Sequence, residues 1–402
     1  MLKDSLPHRV LFVFSWLVVG GEETEVRLLA QNLDPRRYKI DVVACLRKPN
    51  MPDQTHRQLA ALDVPVDRTP YTLSFDETVA YLAAKIPHYN IVVACQAVPD
   101  VYPALERLAQ RPPLIEHGGL VEEAQRGPKH FTTRYVGVCQ SICDAAVGCM
   151  ADRPHHVLKI PSMVDLDEFD WANRHPVRQE WQVSDDTVAI GWVGRLDRKK
   201  RVEDFIHAAA LTHRIHPKTQ FFVIGGPDAF MPEYADELRS LAHGLGLDSH
   251  LSFLGDRADV PRLLSGLDIF AWLSRGEGMP HVIAEAGAAE LPVVATCDNG
   301  AAEQIVDGVT GLFVPHASPM QVADAFDRLI VDPQLRQRLG QNLRGKVEEE
   351  YSSTVVVRRW ESLFDELLTE AYAPAALYDE RVRTTNGAKH QQDPSALLTY
   401  GS

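Results

Sequence analysis

Short, unbroken apolar runs, each followed by a stretch of helical periodicity, recur along this chain and limit what it can fold into. Val10–Phe14 is apolar at every position, and Ile40–Cys45 and Ile91–Cys95 are nearly so; Pro113–Glu116 and Tyr135–Cys139 are shorter candidates. A strand covered on one face alternates apolar and polar residues, whereas one covered on both faces, as in a parallel sheet, does not need to. Helix-like pieces lie between the runs, at Glu22–Leu33, Gln54–Leu62, Glu77–Ile86 and Ser141–Met150. The pattern predicts βαβ units and therefore a doubly wound α/β domain.

Residues 160–186 break the rhythm. Ile160-Pro161-Ser162-Met163-Val164-Asp165 leads into a polar, tryptophan-containing stretch with His175-Pro176, a composition that suits an interdomain connection. Alternation resumes at Val188–Val193 and a helix over Val202–Ile215, with further strands at Phe221–Ile224, Leu251–Leu254, Leu267–Leu273, Pro292–Ala295 and Gly311–Val314. Intervening helices start near Tyr234, Val260, Pro280, Ala301 and Pro319. Val355, Val356, Trp360, Leu363, Phe364, Leu367 and Leu368 recur at helical spacing and predict an amphipathic helix over Ser353–Tyr372, with the first domain as the surface left for it. A chain of 402 residues exceeds one ordinary core. The expected division is a first doubly wound domain over 1–163, a connection over 164–186 and a second doubly wound domain over 187–350. A helix over 351–372 then crosses back, and 373–402 form a polar, disordered tail.

Hydrophobic residues make up 45% and charged residues 24%, as in soluble globular proteins. Net charge is −14, and residues 1–160 are balanced at 18 basic and 18 acidic, so the acidic excess lies beyond them. Nucleic-acid binding, which needs a basic footprint, is not expected. Local basic spots at Arg36-Arg37-Tyr38-Lys39 and Arg47-Lys48 leave peripheral membrane contact open. No apolar run approaches the roughly 20 residues of a membrane span. Met1–Arg9 lacks a secretory signal pattern, and the expected location is cytoplasmic. The six cysteines lack the paired spacing of a zinc site and read as reduced, structural residues.

Several strand ends carry residues suited to chemistry. Gly20-Gly21-Glu22-Glu23 separates the first strand from the first helix. It is either a plain tight turn or a place where a ligand approaches the backbone and the positive end of a helix, and it is not the GxGxxG fingerprint. Gly194-Arg195-Leu196-Asp197-Arg198-Lys199-Lys200-Arg201 sets Arg195 and Lys200 five apart, either as two cations for a diphosphate or as a solvated basic turn. Gly225-Gly226-Pro227 ends another strand, and Asn299-Gly300-Ala301-Ala302-Glu303 opens a helix with amides expected to be free. Ser274–Glu285 places Glu277 in a loop and Glu285 on a helix whose first turn suits Pro280. Both carboxylates are expected to face the crevice at the carboxyl ends of the strands, where open α/β sheets bind ligands. His117, in Glu116-His117-Gly118-Gly119, is either structural or a contact into that crevice. Asp165-Leu166-Asp167 imitates a DxD metal motif but sits in the connection, and no metal site is expected.

In order and spacing, Gly20-Gly21-x-Glu23, Gly194-Arg195-Leu196-x-x-x-Lys200, Phe253-Leu254-Gly255, Glu277-x7-Glu285, Pro292-Val293-Val294-Ala295, Asn299-Gly300-x-x-Glu303 and Thr310-Gly311-Leu312 resemble the GT-B glycosyltransferases. Among these, the closest pattern is the retaining family 4 group, the glycosyl transferases group 1 family. The resemblance runs to about Tyr372. It implies two Rossmann-like domains facing a cleft, a C-terminal helix returning to the first, and transfer of a sugar from a nucleoside diphosphate sugar, UDP- or GDP-linked, with retention and without a metal or covalently bound cofactor. The acceptor would be a saccharide, a lipid-linked glycan or a small-molecule aglycone. Carried over, Arg195 and Lys200 would hold the diphosphate, Glu285 the ribose, Glu277 the sugar hydroxyls, and backbone amides of Gly278, Met279 and Pro280 the sugar and phosphate. The base would sit by the turn after Gly255, near Arg257. Gly194, Gly225, Asn299, Gly300 and Glu303 would line the donor site, Gly20 and Gly21 the acceptor side, and His117 would reach the transferring sugar. Two departures stand out: Asn299 replaces a family glycine, and Glu22 sits where a small residue is usual, disfavouring an anionic acceptor. The rival readings are a sugar-nucleotide epimerase of the same architecture and a non-catalytic sugar-nucleotide-binding protein. A phosphorylase would require a pyridoxal phosphate lysine context that the chain lacks.

Overall fold

A computed structural model describes residues 6–49, 51–228 and 230–372. Its strands form two sheets with parallel pairing throughout. The first contains β1 (His8–Trp16), β2 (Tyr38–Leu46), β3 (Val66–Asp67), β4 (Ile91–Cys95), β5 (Leu114–Gly118), β6 (Thr132–Gly137) and β7 (Val157–Lys159), in the order β3-β2-β1-β4-β5-β6-β7. The second contains β8 (Val188–Val193), β9 (Thr219–Ile224), β10 (Leu251–Gly255), β11 (Ile269–Trp272), β12 (Val293–Thr296) and β13 (Gly311–Val314), in the order β10-β9-β8-β11-β12-β13.

Each sheet starts at a central strand, builds to one edge and then returns past its start, so that β4 pairs with β1 and β11 with β8. The connections on either side of such a reversal leave on opposite faces and open a crevice at the carboxyl ends of the strands. Gly20 follows β1 and Gly194 follows β8, so both glycine turns stand at a reversal.

The unbroken apolar run of β1 has a simple cause. Val10, Phe12 and Phe14 pack on one face with Val26 and Leu29 of the helix Gly21–Asn32 and with Val356, Trp360 and Phe364 of the helix Ser353–Tyr372. Leu11 and Val13 pack on the other face with Val79, Leu82 and Val101. The C-terminal helix is thus part of the first core. The crossing is laced by Val164 N donating to Tyr351 O (2.9 Å) and Ser353 N donating to Val164 O (2.8 Å).

Two helices are not among those expected, and one stretch departs from expectation. The helix Val98–Glu106 contains Pro99 and Pro103, of which Pro99 lies in the first turn where no donor is needed. The helix Pro333–Glu350 is so polar that only Leu339, Leu343 and Val347, spaced four apart, mark its buried face. The stretch expected as a polar connection is docked on the second sheet from Arg174 onward. Arg178, 1% exposed, donates to Asp268 (3.0 Å) and to the carbonyls of Ser184 (2.5 Å) and Thr187 (2.6 Å), and Arg174 adds a bond to Asp268 (2.7 Å). Both terminal nitrogens of the Arg178 guanidinium find acceptors, which lets it be buried and which composition alone does not reveal. The N-terminal residues 1–5 and the expected disordered tail 373–402 lie outside the described residues. Among the described residues no helix is long and apolar enough to cross a membrane.

Candidate functional site

Because β8 and β11 are neighbours, the loops that leave them meet. Lys200 ends the 3-10 turn Arg198–Lys200, and its Nζ donates to Glu277 Oε2 at 2.5 Å; Arg275 N donates to Lys199 O at 2.9 Å. The other oxygen of Glu277, Oε1, is buried with no hydrogen-bond partner. Arg195 is held at 2.9 Å by Asp228, a buried carboxylate one residue beyond the Gly225-Gly226-Pro227 turn. An arginine pinned by one carboxylate keeps further N–H groups to present elsewhere. The close approach of these strand ends requires glycine at 225: its φ is 142°, and a Cβ there would stand 1.7 Å from Gly194 O.

The loop carrying Glu277 is braced by the start of the helix Asn299–Gln304. Asn299 Nδ2 donates to Glu277 O (2.7 Å), Gly300 N donates to Gly278 O (2.7 Å), and the Asp298 carboxylate accepts from Gly276 N. The Gly300 amide, expected to be free for a ligand, is therefore committed to holding the loop. Asn299 takes the left-handed conformation (φ 34°) otherwise typical of glycine. Pro280 precedes the helix His281–Ala288 as its N-cap instead of entering the first turn, and its carbonyl accepts from Gln304 Nε2 (3.2 Å). Met279 is buried, with its carbonyl accepting from Ser162 Oγ (3.3 Å).

The first sheet meets this loop at close range. A Cβ on Gly278 would lie 2.2 Å from Gly119 O, and one on Gly21 3.3 Å from the His281 ring. His281 Nδ1 donates to Met163 O at 3.0 Å. His117, next to last in β5, is buried, with its ring 5.5 Å from Trp360 and its Nδ1 3.7 Å from Glu22 Oε1; its Nε2 has no hydrogen-bond partner. Burial lowers the pKa of His117 and of His281 to about 4, so both rings are neutral at neutral pH. Gly20 caps the helix Gly21–Asn32, and Glu23 accepts from Val18 N (3.0 Å) within the same turn. Burial raises the Glu23 pKa, while the Val18 bond and the charge of Arg195 counter it, so this turn faces the second sheet's cation. Glu285 is half-buried, and its pKa rises to about 7, chiefly through burial, with Glu168 adding and Arg27 opposing.

Two expected residues are paired within the protein. Arg257, after Gly255, is bidentate to Asp259 (2.8 Å each) and reaches Glu180 at 3.5 Å. Glu303 accepts from Gln140 N (2.5 Å) and Lys159 Nζ (2.8 Å), joining the second sheet to the first. Asp228 and Asp298 are the residues that sequence reasoning missed. The only signal for either was its place beside a glycine-containing turn.

Residues 173–346 match the model of the family described as glycosyl transferases group 1. The chain is 32% identical over 208 residues to a D-inositol 3-phosphate glycosyltransferase of Actinosynnema mirum, which covers 50% of each chain. It is 23% identical over 315 residues to the N-acetyl-alpha-D-glucosaminyl L-malate synthase of Bacillus anthracis, covering 75% of this chain and 81% of that one. The chain spans about half the length of most of the curated relatives it matches. The structure of Anabaena HepE in complex with UDP and glucose is similar in fold, with a TM-score of 0.76 at 20% identity over 89% of this chain and 99% of that one.

Proposed function

We propose that this chain, whose residues 173–346 match the glycosyl transferases group 1 model and whose fold is that of HepE, transfers a sugar from a nucleoside diphosphate sugar to an acceptor hydroxyl with retention of anomeric configuration. The observation that carries this reading is the Lys200–Glu277 pair at 2.5 Å at the reversal point of the second sheet, on the loop whose Gly278 meets Gly119 of the first sheet.

In this reading residues 187–350 bind the donor, 1–163 receive the acceptor and 164–186 join them. The diphosphate lies between Lys200 and Arg195, with the N-terminus of the helix His281–Ala288 adding positive potential. Glu277 accepts from sugar hydroxyls and Glu285 from the ribose. Amides near Gly278 seat the sugar, and the base stacks by the turn after Gly255. Neutral His117 serves as a hydrogen-bond partner of the transferring sugar rather than as a charge. In the chemical step the bond from the anomeric carbon to the phosphate oxygen breaks as the bond to the acceptor oxygen forms on the same face. The acceptor's proton passes to the departing phosphate oxygen. The two cations stabilise the charge that develops there, which is why no protein nucleophile and no metal enters the scheme. A UDP- or GDP-sugar is the expected donor. Glu303 lines the donor site from the second half while bracing it against Gln140 and Lys159 of the first.

The test is nucleoside diphosphate release in the presence of acceptor. Lys200→Ala and Arg195→Ala should each lower turnover by about 10²–10³-fold, the range seen when one preorganised donor to a developing anion is removed. Wild-type rates in both variants would contradict the diphosphate assignment.

A further inference from the structure

The segments that follow β1 and β5 carry more carboxylate than the transfer step uses. Glu22 is 7% exposed, and neither of its oxygens has a hydrogen-bond partner of good geometry. Its Oε1 lies 3.7 Å from His117 Nδ1 and 3.5 Å from where a Cβ on Gly119 would stand. Two further buried polar groups beside it are also unpartnered: His117 Nε2 and the hydroxyl of Tyr135, which lies against Gly118 and feels the charges of both Glu22 and Glu123.

Lys129, which lies by the Tyr135 ring, is paired with Glu116 at 2.6 Å. His117 is neutral, Arg126 acts on Glu123, and the Gln96 side chain is the neighbour that favours the charged form of Glu22. Burial, with the charges of Glu123 and Glu23, holds the Glu22 pKa well above the ordinary carboxylate range. A buried carboxyl group with neither oxygen hydrogen-bonded keeps its proton until a cation comes within reach, and an ammonium beside it favours the carboxylate.

Building on the transferase reading, we propose that Glu22, with Glu123 and the Tyr135 hydroxyl, forms an acceptor subsite for a protonated amine, so that the preferred acceptors are amino-bearing polyols such as amino sugars. The placement suits this. Gly119, against which Glu22 lies, is the residue whose carbonyl meets Gly278 of the donor loop, so a group held at Glu22 is one loop away from the transferring sugar. An ammonium offers three donors, enough for two carboxylates and one hydroxyl oxygen. An N-acetyl group brings no charge to the site, and an acidic substituent is repelled.

The test compares glucosamine, N-acetylglucosamine and glucose as acceptors with UDP-glucose and GDP-mannose, while UDP and GDP binding is measured separately by calorimetry on the wild type and on Glu22→Gln. The subsite predicts kcat/KM for glucosamine at least about tenfold above the other two, the discrimination of one charged hydrogen bond. Glu22→Gln should keep nucleotide affinity and lose that preference. Nucleotide binding without a glucosamine advantage, or with no transfer to glucosamine at all, overturns the subsite and leaves the transferase reading standing; so does an advantage retained by Glu22→Gln. Absence of nucleotide binding in the wild type overturns both.

Discussion

Lys200 and Arg195 each already have a carboxylate partner, and this decides how they can serve a ligand. A diphosphate arriving at Lys200 shares that ammonium with Glu277, so the carboxylate which reads the sugar also aims the cation. Arg195 is aimed differently, by Asp228, which is buried and has no other basic partner in the described structure. Asp228→Ala should leave Arg195 charged but unaimed and lower turnover by about 10²-fold, the scale of a displacement of roughly 1 Å in a reacting group. Steady-state kinetics with an unchanged unfolding transition would check this, and a fall no larger than that of a surface aspartate variant would remove Asp228 from the account. Arg195, Lys200 and Glu277 stood out in the sequence because they follow apolar strands, the first two after Gly194 and the third between Gly276 and Gly278. The Arg195–Asp228 and Glu303–Lys159 pairings did not. The partners lie 33 and 144 residues apart, and pairing across such distances leaves no local pattern.

At the scale of elements, the returning helix Ser353–Tyr372 is tied to the first helix by a polar contact inside an apolar core. Trp360 Nε1 donates to Glu25 Oε1 at 3.0 Å, and Met163 N approaches Oε2 at 3.4 Å. Burial raises the Glu25 pKa to about 7 against an ordinary value of 4.5, the two hydrogen bonds opposing the rise. The folded state therefore holds this proton more tightly than the unfolded chain. The resulting stabilisation is fully present below 4.5 and is lost as pH rises through about 7, a change on the order of 3 kcal/mol. Glu25→Gln should flatten that part of the stability profile in denaturant titrations across the window; an unchanged slope would mean that Glu25 does not carry it. Strands were readable wherever both faces are buried, as Ile91–Cys95, Val188–Val193 and Gly311–Val314 show. The two-residue β3 and the three-residue β7 are too short to carry a period, and the polar helix Pro333–Glu350 shows only a narrow stripe.

At the scale of the molecule, the two halves share an apolar cluster in which Val138, Ile142 and Ala146 of the first pack with Met279, Ile283 and Ala301 of the second, flanked by close contacts of Gly278 with Gly119, Gly21 with His281 and Glu303 with Lys159. Gly278→Ala cannot be accommodated without moving the Gly119 carbonyl, which a Cβ would approach to 2.2 Å. It should widen the cleft and cut turnover while each domain keeps its own unfolding transition; unchanged kinetics would show that the halves need not meet there. All of these effects presuppose that a nucleoside diphosphate sits between Arg195 and Lys200. The most direct measurement is calorimetric titration of wild type, Arg195→Ala and Lys200→Ala with UDP and GDP and with the matching nucleosides. The account predicts that the diphosphate that binds wild type loses about tenfold or more in affinity in each variant, as expected for a lost charge-assisted contact, while the nucleoside binds all three alike. Equal diphosphate affinity in the three proteins would contradict it.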